Sequence, residues 1–129
     1  IKRRKSQGVI KRRPIKDKPL DTMWSSIVRA LAGHKCVECG DTHSQMHAHH
    51  WVGRRYKTTR WLIENGVCLC HNCHQDMDDL PKFRKDVERK HIGSERLEQL
   101  ELIAIRGVGI KVDKAKIKDE LKRKMEALG

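Results

Sequence analysis

The reading of this chain turns on residues 36–79, CVECGDTHSQMHAHHWVGRRYKTTRWLIENGVCLCHNCHQDMDD. Two Cys-x2-Cys knuckles bracket it, Cys36 with Cys39 and Cys70 with Cys73. A knuckle of this spacing turns both thiolates towards one ion, and two of them complete the four-coordinate shell that zinc prefers. A closed shell of four cysteines has no open position for water, so the expected metal is structural and its binding supplies folding free energy. Cys68 is left over and reads as a free, buried thiol. A second polar set, His49, His50, Asn65, His74 and Asp78, is not needed by that ion.

Composition sets the frame. A chain of 129 residues fits one domain, and 37% hydrophobic with 4% aromatic residues allows only a modest core, the kind that a metal site staples. The net charge of +12 points to a polyanionic partner. Most of it is local: residues 1–19 carry nine Lys or Arg against one Asp. Paired knuckles argue against a secreted disulfide framework, and no apolar run has the length of a signal segment or membrane span. A reducing, cytoplasmic location is expected.

Three segments follow. Residues 1–20 read as a flexible basic arm, since Gly8, Pro14 and Pro19 interrupt any helix. Lys2, Arg3, Arg4, Lys11, Arg12 and Arg13 are its phosphate-contacting candidates. Residues 21–80 hold the metal module, led by a helix over 22–32 that Asp21 or Thr22 caps and Gly33 stops. Inside it, residues 45–49 alternate as a short strand, Asn65-Gly66 suggests a tight turn, Val67 to Leu69 returns as a strand, and a helix runs from Cys70 or His71 towards Asp79. Residues 81–129 read as a helical extension. Phe83, Val87 and Ile92 mark one helix. Leu97, Leu100, Ile103 and Ala104 mark a second, capped by Ser94. Ile117, Leu121, Met125 and Leu128 mark a third, capped by Asp113. Packing of that last stripe on the core is the ordinary reading, and docking of a second copy or a partner is the alternative. The fold class is small α+β.

Taken together, the ordered set resembles the HNH nuclease family in its zinc-stabilised, phage-type branch. The resemblance is carried by His49-His50, by Asn65 fifteen residues on, by His74 nine residues after that, and by Cys73-His74 closing the second knuckle. It covers about a third of the chain. It implies a ββα-metal, treble-clef-like core and hydrolysis of DNA phosphodiesters. His50 would be the general base, suited by an imidazole pKa near neutrality. His49 and His74 would ligate a divalent metal, and Asn65 would position His50. Asp78 stands where the family often has histidine. A carboxylate there favours Mg²⁺ or Mn²⁺, with Asp78 as ligand or supporting group and Asp76 or Asp79 as substitutes. Arg54, Arg55, Lys57 and Arg60 are candidates to clamp the flanking DNA phosphates. The competing functions are a zinc-finger nucleic-acid binder without catalysis and an accessory nuclease that works with a phage packaging or recombination partner.

Overall fold

A computed structural model describes residues 13–129. It is a small α+β fold built on one two-stranded antiparallel sheet, β1 (Met46–His50) paired with β2 (Gly66–Cys70). Helix α1 (Asp17–Leu31) precedes the sheet, and a short helix α2 (Lys57–Arg60) and a 3₁₀ turn (Ile63–Asn65) connect its strands. Helices α3 (His71–Asp79), α4 (Pro81–His91), α5 (Ser94–Arg106) and α6 (Lys114–Leu128) follow. No helix among the described residues is long and apolar enough to cross a membrane.

The expected leading helix began at residue 22; α1 starts five residues earlier. Pro19 does not prevent this, because it falls in the first turn, where backbone N–H groups have no intrahelical partner in any case. Leu20, expected in the arm, is therefore helical and fully buried. Asp21 is not a cap. Its carboxylate accepts from Arg60 and from the Trp61 indole. Gly33 does stop the helix: at φ 66° it lets Gly33 N–H reach Ala30 O and His34 N–H reach Arg29 O, a Schellman closure.

The register pairs Met46 with Cys70, Ala48 with Cys68 and His50 with Gly66. Successive residues of β1 face opposite sides. His47 and His49 turn to α3, whereas Ala48 and His50 turn to α1. Two cores result. One gathers Met46, Leu69, Met77, Val87 and Leu100 around the cysteines, and the other gathers Leu20, Trp24, Ile27, Val28, Trp61 and Leu121. Residues beyond 80 thus enter both cores: α4 and α5 close the first, and α6 packs on α1 to close the second.

Three local expectations change. Asn65-Gly66 is no hairpin turn, since Gly66 is extended and opens β2. Its glycine has another cause: a Cβ there would lie 2.6 Å from Trp24 Cζ2 and 2.6 Å from Val28 Cγ2. Gly93, at φ 84°, occupies the N-cap of α5, so Ser94 is the first helical residue and not the cap. Ile103 is 46% exposed, because Leu100 and Ala104 form the inward edge of α5. On α6, Asp113 caps through Lys116 N–H at 3.1 Å, Leu121 is buried, and Met125 and Leu128 remain exposed.

The slot at Gly66 gives a direct test. Gly66→Ala should cost about 1–3 kcal/mol, the usual range for overpacking a core, read as a lower denaturation midpoint. An unchanged midpoint would mean that α1 is not seated on the sheet as described.

Candidate metal centre and histidine groove

The four knuckle cysteines come together, with their Sγ atoms all within 4.8 Å of one another. The first knuckle turns through Gly40, whose N–H donates to Cys36 O at 2.9 Å with φ 79°. The second lies where β2 runs into α3, and there the Cys70 sulfur caps the helix by accepting from Cys73 N–H at 3.4 Å. Burial opposes ionisation of Cys36, but backbone N–H groups of Cys39, Cys70 and Glu38 outweigh it and bring the thiol down to about 7. Burial and the neighbouring sulfurs push Cys73 the other way. Such a cluster favours one thiolate and resists the next, which a dication would offset. The donor set is compatible with zinc. Glu38 anchors the first knuckle to α4 through Lys90 at 3.1 Å and His91 at 2.9 Å. Cys68 lies outside the cluster, and burial raises its thiol pKa.

On the α1 side of the sheet, His50 stacks on Trp24 with ring centroids 3.9 Å apart and planes 11° from parallel. The space over Gly66 admits that indole, whose Nε1 donates to Leu62 O at 2.8 Å. His50 Nε2 lies 2.9 Å from Arg60 O. A carbonyl only accepts, so Nε2 holds the proton and Nδ1 keeps the lone pair. Burial lowers the His50 pKa to about 4, against the raising effects of the Arg60 carbonyl and Asp21, so the ring is neutral at pH 7.

Asn65 fixes the backbone on which this depends. It is fully buried; its Oδ1 accepts from Val52 N–H at 2.8 Å, and its Nδ2 donates to Val52 O and Thr59 O at 3.0 Å each. Both ends of the 52–59 loop are tied to one amide, one residue before the carbonyl that holds His50.

His49 is only 6% exposed, with its ring edge-on to His74 at 5.1 Å and to Trp51 at 6.0 Å. Its Nε2 is buried with no hydrogen-bond partner among the described residues. Burial lowers its pKa to about 4, and Coulombic interaction with His74 and Arg84 acts in the same direction. A groove of about 610 Å³ brings together His49, His50, His74, Asp78, Arg54 and Arg84. Asp76 and Asp79 do not line it. The orphaned Nε2 is what a missing electron-pair acceptor would leave behind, so the imidazole and carboxylate donors around this groove fit a divalent ion. They are less gathered than the cysteines, the one such cluster with ligand atoms within 4.8 Å among the described residues. His74 Nδ1 faces His47 Nδ1 at 2.9 Å, a partnership that sequence spacing did not suggest.

The predicted phosphate clamp divides. Arg54 is exposed and lines the groove. Arg55 lies over the Tyr56 ring at 4.7 Å, and Lys57 pairs with Asp17 at 3.3 Å while remaining half exposed. Arg60 is not free to clamp DNA. Its Nε and Nη2 form a fork on Asp21 at 3.0 and 2.7 Å, which leaves its side chain 15% exposed. Arg13 is exposed; Lys2, Arg3, Arg4, Lys11 and Arg12 lie outside the described residues. Arg84, from α4, was not singled out in the sequence, where it is one of 29 Lys and Arg.

No protein-family model, no curated protein and no solved structure matches this chain.

The cysteine cluster predicts one tightly held metal ion per chain, detectable by elemental analysis. A strong chelator, or Cys39→Ser, should remove it and lower the melting temperature, because metal binding and folding are coupled. A melt indifferent to both would rule out a structural ion.

Proposed function

We propose that this protein is a metal-dependent DNA endonuclease of the HNH type, with a ββα-metal core stabilised by zinc on Cys36, Cys39, Cys70 and Cys73. The observation that carries the reading is His50: a neutral imidazole, fixed as the Nε2-H tautomer, beside a groove shared with His49, His74, Asp78 and Arg54. In this reading His50 Nδ1 takes the proton from a water that attacks the scissile phosphorus. Asn65 and Trp24 hold the ring for that transfer, one through the backbone and one by stacking. His49, His74 and Asp78 would hold one Mg²⁺ or Mn²⁺. When bound, such an ion neutralises charge building on the phosphate and the departing 3′ oxygen. Arg54 would hold a non-bridging phosphate oxygen. The excess of Lys and Arg supplies general affinity for DNA.

One observation favours a second reading, a zinc-stabilised nucleic-acid binder without catalysis: His74 Nδ1 is engaged by His47. The two readings differ in turnover. With Mg²⁺ or Mn²⁺, wild type should convert supercoiled plasmid to nicked or linear product. His50→Ala, with its zinc and melting temperature intact, should not. Equal cutting by both proteins would remove His50 from the chemistry, and binding without cutting by either would leave the binder.

The buried base also sets the pH response. A general base works only when deprotonated, so activity falls as pH drops through its pKa. With that pKa lowered to about 4, the acid limb of kcat/KM should lie well below the 6.5 of an ordinary histidine. A limb at 6.5 would show that the working base is a solvated group.

A further inference from the structure

Arg84 lies beyond the stretch that carries the family resemblance, yet α4 delivers it to the same groove as His49, His50, His74 and Asp78. Arg54 comes to that groove from the loop after β1, and Arg84 comes to it from α4. The groove thus brings two arginines from separate parts of the chain together with the histidine pair. The Arg84 side chain is about one-third exposed. Glu88, one turn along α4, takes its Nε at 3.2 Å. That contact orients the guanidinium, and neither Nη group has a hydrogen-bond partner among the described residues; this is the half of the fork that matches two oxygens of a phosphate. A carboxylate partner alone would have been satisfied by lysine. An oriented planar fork that shares a groove with His49, His50 and Asp78 is suited to a phosphodiester.

We propose that Arg84 is a substrate-contacting residue, gripping the non-bridging oxygens of the scissile phosphate together with Arg54. The C-terminal helices then complete the active groove and do more than pack against it. This rests on the nuclease reading above and names a residue for it.

The test compares wild type, Arg84→Ala and Arg84→Lys. Plasmid cleavage is measured with Mn²⁺, and DNA binding is measured at several salt concentrations in a His50→Ala background. Loss of a preorganised donor to a developing oxyanion typically costs about 10²–10³-fold in turnover, and a fall of that size in kcat/KM is expected for Arg84→Ala. Arg84→Lys should recover only part of it, since an ammonium supplies charge without the fork. The salt slope of binding should shrink by about one counterion when a phosphate contact is removed. A purely structural role would move the melting temperature and leave the salt slope alone. If Arg84→Ala melts early, Arg84→Lys decides: a wild-type kcat/KM and salt slope in that variant would overturn the specific fork contact. Unchanged cutting and salt slope in Arg84→Ala would overturn the inference and leave the nuclease reading standing. A wild type that cuts no DNA would overturn both.

Discussion

The pairing of β1 with β2 is the constraint on which the groove depends. Because side chains alternate along a strand, a slip of one residue would send His49 to α1 and His50 to α3. Five residue pairs are too few to hold that register alone. It is pinned at both ends. At Met46–Cys70 the strand runs into the second knuckle, and at His50–Gly66 the Asn65 amide ties the connecting loop while Trp24 fills the slot that Gly66 leaves open. The two adjacent histidines therefore enter one groove from opposite faces of the same strand, in two different environments.

Ionic contacts then hold the surrounding helices. Asp21 and Asp17 on α1 receive Arg60, Lys57 and Lys114, from α2 and from the start of α6. The Asp17 carboxyl is held below its usual range chiefly by the Lys114 contact. Arg60 has two separate uses: its guanidinium locks α2 to α1, and its backbone carbonyl accepts the hydrogen bond from His50 Nε2. The ion pair thereby holds in place the residue whose carbonyl sets the His50 tautomer.

The parts of this arrangement legible in the sequence were those governed by short-range rules. Cysteine spacing identified the cluster, alternation around Ala48 identified β1, and the run after Cys70 identified α3. The misread parts depended on partners far along the chain. Asp21 was an acceptable cap until Arg60, 39 residues away, claimed its carboxylate. Asn65-Gly66 carries a common turn signature, but the glycine answers to the bulk of Trp24, from a helix that precedes both strands. Pro19 looked like a barrier because its place within the first turn was not known. Arg84 had no local mark at all, since only the packing of α4 on α3 brings it to the groove.

The stacking of Trp24 on His50 bears on how far this site is modular. The stretch from Cys36 to Asp79 contains the cysteines, both strands and all three groove histidines, and so looks like a portable cassette. Yet the indole that covers the His50 ring and the carboxylate that anchors Arg60 both come from α1, upstream of the first knuckle. A chimera made by grafting residues 36–79 alone would carry the ligands without their supports, leaving an empty slot over Gly66 and an unpaired guanidinium at Arg60. The transferable unit begins at Asp17, and any family of chains built on this plan would have to exchange Trp24, Gly66, Asp21 and Arg60 as one linked block.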